Sequence, residues 1–221
     1  MQAGVAGLGG VDGYGGGAMP WASDGARAAE AAAVGHDAGS YVLRVWNPQQ
    51  EGTLDEEDVR QLWERTRQEG LHETVFYDGG VTCASDFVQL VAPGRAWLYR
   101  IDRCGGAAGV WGTVSDTVAY CWCNGFMGRV ACIHFCIFRD GWAESVAIGH
   151  MATQFLLQCV EQDGAPLLHA LVGVTPAPYR HALALVDALG FRRVGRIPGA
   201  AVLVRRGGRR VVDGVVSVLT R

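Results

Sequence analysis

The stretch CWCNGFMGRVACIHFC places five side chains that can bind a metal or act in catalysis within residues 121 to 136. They are Cys121, Cys123, Cys132, His134 and Cys136. A zinc ion holds four such ligands in a tetrahedron, with each thiolate about 2.3 Å from the metal. Residues i and i+2 of an extended strand lie roughly 6.5 to 7 Å apart, so Cys-x-Cys spacing brings two ligands together poorly. The stretch therefore predicts no metal site.

Alternation within the same stretch indicates two paired strands. Cys132, His134 and Cys136 would line one face of the second strand, and apolar residues would line the other. Cysteine packs like a small hydrophobic residue, which suits a strand that is covered on both sides. A turn at NGFMG would set Cys121 roughly opposite Cys132. Because no Cys-His-Asn arrangement is apparent, only His134 remains a catalytic candidate here.

The composition limits the classes of partner. The chain has 221 residues, a formal net charge of −3 and a pI near 6.1, which give no general attraction to nucleic acid or membranes. Four arginines flank Gly207 and Gly208, and this pattern predicts a solvated hairpin turn. No apolar run reaches the roughly 18 residues that cross a bilayer, and no secretory signal is visible. We therefore predict a cytoplasmic protein whose seven cysteines are free thiols.

The first 40 residues differ in composition from the rest of the chain. Glycine and alanine supply 22 of them, and such a segment buries too little apolar surface to offset the entropy lost on ordering. We predict a flexible arm over residues 1–40 and a single domain over residues 41–221.

Strand and helix patterns within that domain follow an order typical of an α/β protein with a mixed sheet. The strands are predicted over 41–47, 96–102, 108–114, 117–123, 129–138, 166–174, 191–197 and 209–220. The helices are predicted over 53–70, where Thr53 would be the N-cap, within 71–80, and over 144–164 and 177–190.

Two segments carry a resemblance to a known family. RDGWAESVAIGHMA (139–152) runs from a strand end into a helix, and TPAPYRHALALVDALGF (175–191) ends in Leu-Gly-Phe. Their order resembles the GNAT superfamily of N-acetyltransferases, in which the fourth strand leads to a phosphate-binding loop, Gln/Arg-x-x-Gly-x-Gly/Ala. That loop pattern falls on residues 144–149. The resemblance covers roughly residues 41–220 and implies a mixed, mostly antiparallel central sheet, flanked by helices, with splayed fourth and fifth strands.

The resemblance also implies an acetyl-CoA site between the splayed strands. Strand backbone would pair with the pantetheine arm, and amides at the helix N-terminus would hold the pyrophosphate, since free N–H groups and the helix dipole attract anions there. Small residues at Ala147 and Gly149 would let a ligand approach the backbone. The predicted coenzyme contacts are Ile137, Phe138, Arg139, Val146, Ala147, Ile148, Gly149 and Arg180.

Direct acetyl transfer to an amine requires a general base, because the attacking amine must lose a proton. His134 is the first candidate, since its ordinary pKa lies near neutrality. Asp140 and Glu144, acting through water, are alternatives. The tyrosine that commonly serves as the acid in the family falls at Val186 here.

Tyr179 or Tyr120 would then have to protonate the departing thiolate, so the predicted catalytic set is His134, Tyr179 and Glu144. The acceptor would be a small-molecule or protein amine, and a homodimer is a further candidate; neither nucleic acid nor a membrane is an expected partner. The alternative is a non-catalytic coenzyme A-binding or accessory protein of the same fold. The segment GFRRVGRIPG looks like the GNAT-like proteins of bacteriophages and prophages.

Overall fold

A computed structural model describes residues 34–36, 39–104, 116–161 and 163–221 of the chain. The described residues form one eight-stranded sheet in the order β1-β2-β3-β4-β5-β6-β8-β7. Its strands are β1 (Val34–His36), β2 (Gly39–Val45), β3 (Trp97–Arg103), β4 (Asp116–Met127), β5 (Val130–Ile137), β6 (Ala170–Pro176), β7 (Arg192–Arg205) and β8 (Gly208–Thr220). The helices are α1 (Glu56–Gln68), α2 (His72–Val75), α3 (Ala84–Leu90), α4 (Ser145–Gln158) and α5 (Arg180–Ala188), with a 3-10 helix over Arg139–Glu144 before α4.

The pairing confirms the predicted mixed, mostly antiparallel sheet. Neighbouring strands are antiparallel except β5 and β6, which run parallel. That parallel pair extends from Val130 opposite Ala170 to Cys132 opposite Val172, and the described strands separate beyond it. The splay that the resemblance implied is therefore present, and it opens a gap at the centre of the sheet.

Helices cover both faces of the sheet, which explains why the central strands are rich in apolar residues and cysteine. On one face, Tyr120, Trp122 and Cys136 pack with side chains from α1 to α3. On the other face, Cys121 and Ile133 belong to a core that includes buried residues of α4. The two-residue alternation predicted for β5 is thus confirmed, and the five cysteine and histidine side chains of the opening stretch are divided between opposite faces.

The turn between β4 and β5 differs from the one expected at NGFMG. The two strands continue past Asn124 to the pair Met127 and Val130, so the turn lies at residues 128 and 129. This shifts the register, and Cys121 lies opposite Phe135 instead of Cys132. The expected cross-strand cysteine contact was wrong, because residues predicted to form the turn belong to β4, whose pairing with β5 is irregular between Asn124 and Met127.

Two helix boundaries also differ from the prediction. Asp55, not Thr53, caps α1: its carboxylate accepts from the N–H of Asp58, while the Asp58 side chain accepts from the N–H of Asp55. The hydroxyl of Thr53 instead donates to the Gln50 carbonyl at 2.7 Å. Helix α4 ends at Gln158, well before the predicted end at residue 164, because the next residue, Cys159, is extended with φ of −58° and ψ of 136°.

The strand predicted over 108–114 lies outside the described residues, as does the predicted arm up to residue 33. Residues 34–36 and 39–40, which fall within the predicted arm, are strand. No helix in the described ranges is long and apolar enough to cross a membrane.

Candidate active site

The gap between β5 and β6 exposes main-chain groups of β5. In an antiparallel pair, successive residues alternate between bonding the partner strand and facing away from it. Just beyond the end of β5, the N–H of Phe138 donates to the Val118 carbonyl at 2.9 Å, so the main chain of Ile137 faces away from β4 and toward the gap. Of the two residues predicted to pair with a ligand, only Ile137 presents its backbone there.

The Ile137 carbonyl already accepts a hydrogen bond within the protein. The indole Nε1 of Trp142 donates to it at 3.1 Å, although the Trp142 side chain is 54% exposed. Val146, at the start of α4, and Val174, in the splayed part of β6, are also exposed apolar residues. Exposed apolar side chains therefore occur in the 3-10 helix, at the start of α4 and on the separated part of β6.

The start of α4 offers only part of the predicted phosphate loop. Glu144 occupies the N-cap position, but its side chain makes no capping hydrogen bond. Val146 is exposed and Ala147 partly so, whereas Ile148 and Gly149 are buried. The preceding 3-10 helix already satisfies part of this helix start, because the N–H of Ser145 donates to the Trp142 carbonyl. First-turn N–H groups without such a partner can bind an anion.

Gly149 is small for a reason other than ligand access. A Cβ at this position would lie 2.7 Å from Cδ1 of Leu189, closer than carbon atoms can approach. Leu189 follows α5 and is buried. The glycine therefore allows α4 to pack closely against Leu189 at the end of α5.

The Glu144 side chain is bound by residues of the strands β2 and β3. Its carboxylate accepts a hydrogen bond from the Tyr41 hydroxyl and pairs with the Arg103 guanidinium at 2.7 Å. The Tyr41 hydrogen bond, followed by Arg103, holds the pKa of this carboxyl below its usual range. The structure thus places Glu144 in a fixed ionic contact that positions the loop.

Arg139 and Asp140 of the 3-10 helix contact α1, and Arg180 lies at the start of α5. Arg139 is tied to the end of α1, because its N–H and its guanidinium both donate to Glu69. Asp140 accepts from Arg65 at 2.9 Å. Arg180, the first residue of α5, is exposed.

A cavity of about 370 Å³ lies on the α1–α3 side of the sheet, next to the splayed segment of β5. His134 is in its wall, two residues past the last pair that joins β5 to β6. Burial lowers the pKa of His134 to about 4, against an opposing effect of the Asp78 charge, so the imidazole is neutral at pH 7. Polar side chains that line the cavity are Tyr77, Asp78, Asp86, Gln89, Arg95, Asn124 and His134.

The two candidate acids differ in accessibility. Tyr120 is fully buried, and its hydroxyl lies 3.0 Å from the Thr66 hydroxyl, while burial raises its pKa well above the usual value. Tyr179 is half-buried at the N-cap of α5, where Arg205 donates to its phenol oxygen. Burial raises the pKa of Tyr179, and Arg205 opposes the rise. Tyr179 is therefore the accessible phenol of the two.

The cysteines do not form a metal centre in the described residues, which contain no cluster of three or more metal-binding side chains. All seven thiols are free. Burial raises the pKa of Cys121 and of Cys136 to about 12, so both are uncharged thiols at neutral pH. The predicted packing role of these residues accounts for their positions.

Comparison with known proteins identifies the fold. No family model and no curated protein matches the sequence. The structure is similar to the spermidine N-acetyltransferase of Vibrio cholerae in complex with CoA and spermine, with 10% identity, a TM-score of 0.58, and coverage of 80% of this chain and 95% of that one. The fold is that of the GNAT N-acetyltransferases.

Two further GNAT structures support this identification. RimJ of Mycobacterium smegmatis, in complex with CoA-disulfide, is 15% identical with a TM-score of 0.57, over 86% of both chains. The Salmonella typhimurium acetyltransferase that modifies the N-terminal serine of a ribosomal subunit protein is 15% identical with a TM-score of 0.59, over 82% of this chain and 95% of that chain. In GNAT terms, β5 and β6 are the fourth and fifth strands, since β1 is an additional edge strand.

Several residues of this GNAT-fold site were missed or left without a role by sequence reasoning. Trp142 contacts the strand backbone, Asn124 contacts His134, and Arg205 contacts Tyr179. Only the spacing of Asn124 and His134 on two paired strands could have suggested a contact, and the expected register placed the turn at Asn124.

Proposed function

We propose that this protein is an acetyl-CoA-dependent N-acetyltransferase that transfers an acetyl group directly to an amine held in the cavity beside His134. One observation carries the proposal: His134 lies on the segment of β5 from which β6 has separated, and it also lines the cavity. A group that enters through the gap and an acceptor in the cavity would therefore meet at this side chain.

The residues around the gap fit coenzyme A. The Ile137 backbone would pair with the pantetheine amides once the hydrogen bond from the Trp142 indole to the Ile137 carbonyl has broken. Val146 and Val174 provide exposed apolar surface for the same arm, and the first turn of α4 provides N–H groups for the pyrophosphate. Arg180 is exposed and adds a positive charge at the start of α5.

Acetyl-CoA supplies the activated thioester, and the chain supplies positioning and proton transfer. The neutral imidazole of His134 accepts a proton as the amine nitrogen forms its bond to the acetyl carbon and the carbon–sulfur bond breaks. The coenzyme leaves as a thiolate that takes the hydroxyl proton of Tyr179, the accessible phenol. Burial already keeps His134 uncharged, so no proton has to leave it before the reaction.

A second candidate is coenzyme binding without catalysis. It is favoured by Val186, which occupies the position of the tyrosine that commonly acts as the general acid in GNAT enzymes. Val186 is partly buried against the core. In that case the gap would bind acetyl-CoA, and no acceptor would be acetylated.

Calorimetric titration with acetyl-CoA, followed by thiol release with a panel of amines, tests both candidates. The proposal predicts binding and amine-dependent release of free thiol. His134→Ala should keep coenzyme affinity and lose about 10²- to 10⁴-fold in rate. His169→Ala is the matched control, because His169 is exposed and directly precedes β6, at the end of that strand away from its separated part. Absence of coenzyme binding would refute both candidates, and binding without thiol release would support the second.

A further inference from the structure

Asn124 and His134 form a polar contact in the wall of the cavity. The Oδ1 atom of Asn124 lies 3.0 Å from Nε2 of His134. Both side chains line the cavity, and they reach it from neighbouring strands, β4 and β5. A carboxamide oxygen accepts hydrogen bonds and cannot donate them, so with the Asn124 amide in this orientation the hydrogen of the neutral imidazole is on Nε2.

The imidazole ring is also held in its plane. Trp122 lies directly opposite His134 in the strand register. The two rings are stacked, with centroids 4.6 Å apart and planes inclined by 10°. Asn124 is two residues further along β4, so it reaches the ring edge diagonally while Trp122 covers the ring face. Stacking and the hydrogen bond together fix which nitrogen faces which group.

The second nitrogen, Nδ1, forms no hydrogen bond with any residue in the described ranges. The charged side chains that line the same cavity are Asp78 from the loop after α2, Asp86 from α3, and Arg95 from the segment before β3. The N–H groups of Gly80 and Thr82 donate to Asp78 and Asp86, which holds these carboxylates at the loop backbone. The lone pair of Nδ1 is thus free for a ligand.

We propose that Asn124 is a positioning residue that locks His134 in the Nε2–H form and so makes Nδ1 the atom that accepts the proton of the acceptor amine. The inference rests on the proposed acetyl transfer. The amine nitrogen forms the bond to the acetyl carbon, the carbon–sulfur bond breaks, and the amine proton moves to Nδ1. The resulting imidazolium keeps its Nε2–H bond to Asn124 and returns the Nδ1 proton to solvent.

The proton position can be measured without any activity. In the full-length protein labelled with ¹⁵N-histidine, the proposal expects the His134 spectrum of an Nε2–H, Nδ1-unprotonated imidazole at pH 7. His134→Ala identifies the signal. The opposite form, with the hydrogen on Nδ1, would overturn the proposal whether or not the protein is an enzyme.

Asn124→Asp tests the role of the contact. A carboxylate at this position would stabilise the imidazolium, so the His134 titration should move upward by at least one pH unit. The acid side of the kcat/KM profile should move upward with it. Asn47→Asp adds the same charge in an exposed turn next to Gln49 and should move neither. An unchanged His134 titration in Asn124→Asp would overturn the proposal.

The two proposals fail in distinguishable ways. If the spectrum shows the Nε2–H form and Asn124→Asp shifts the titration, but His134→Ala leaves the rate unchanged, then His134 is not the base and Asn124 positions no catalytic group. If His134→Ala abolishes the rate while the hydrogen is on Nδ1, the acetyltransferase function stands and the assignment to Nδ1 is wrong.

Discussion

The guanidinium of Arg205 donates a hydrogen bond to the phenol oxygen of Tyr179 and lies 5.9 Å from the centre of its ring. The same guanidinium contacts Glu73, with 3.6 Å between its Nη1 and a carboxylate oxygen. One side chain at the end of β7 thereby connects α2 to the start of α5. Because the phenol oxygen accepts from Arg205, the Tyr179 hydroxyl keeps its own hydrogen to donate.

Tyr179→Phe removes that donor and should lower kcat by about 10²-fold, the lower end of what general acids contribute. Coenzyme affinity should stay within threefold, since the ring remains. Tyr99→Phe is the matched control, because Tyr99 is buried on the opposite face of the sheet, where its ring packs against Phe155. Steady-state kinetics measures kcat, and calorimetry measures the coenzyme affinity. Equal rates for the two variants would show that Tyr179 is not the general acid.

Glu144→Gln should separate a structural carboxylate from a catalytic one. The carboxylate is engaged by Tyr41 and Arg103, so we expect the rate to remain within threefold of the wild type. The free energy of unfolding should fall by about 1 kcal/mol, because a partly exposed ionic contact is lost. Urea unfolding and thiol-release kinetics provide the two measurements.

Glu161→Gln, which removes a surface ion pair with Arg129, is the control for that substitution. A loss of 100-fold or more in rate for Glu144→Gln, with intact coenzyme affinity, would make Glu144 the general base instead.

Gly149→Ala should destabilise the protein without acting on the coenzyme. The added Cβ overlaps Leu189, and overpacking of this kind costs about 1–3 kcal/mol. Leu189→Ala removes the overlapping atoms, so the double variant should be less destabilised than the sum of the two single variants. Gly195→Ala, with open space around its added Cβ, should have little effect on urea unfolding. Strict additivity of the two single variants would show that these positions do not touch.

His134 should make stability depend on pH. Burial lowers its folded-state pKa to about 4 from an ordinary value of 6.5, so between these values the unfolded chain binds more protons than the folded one. The free energy of unfolding should therefore fall as the pH decreases from 6.5 to 4, by on the order of 2 kcal/mol for this group.

The measurement is urea unfolding at pH 7 and pH 4.5, with His134→Leu to remove the titration and His169→Leu as the exposed control. His134→Leu should show the smaller decrease between the two pH values. An identical decrease in the wild type and in His134→Leu would mean that the imidazole is not buried in its neutral form.

Periodicity predicted the faces of the central strands and most of the element order, because both depend on local spacing; β1 and α3 were not predicted. The division of Cys121 and Cys136 between two cores follows directly from alternation along each strand. What local spacing could not predict was the register: a bulge after Asn124 moved the turn and brought Asn124 beside His134.

The parts of the site that depend on distant contacts were beyond the sequence. Arg205 belongs to a cluster predicted to be solvated, yet it contacts Glu73, which is 132 positions away. Gly149 fits a loop pattern, but its size is required by Leu189. Motif spacing shows that a small or charged residue is present, whereas the partner that explains it appears only when separate elements pack.

The sheet has few backbone pairs at its centre, between β5 and β6. Strands β1 to β5 form one antiparallel group and β6 to β8 another, and within the sheet the two are joined by three residue pairs between β5 and β6. A molecule lying in the gap would contact both groups of strands and add bonds between them. Coenzyme binding would then slow hydrogen exchange at the amides of β5 and β6, and would slow it more there than in the outer strands.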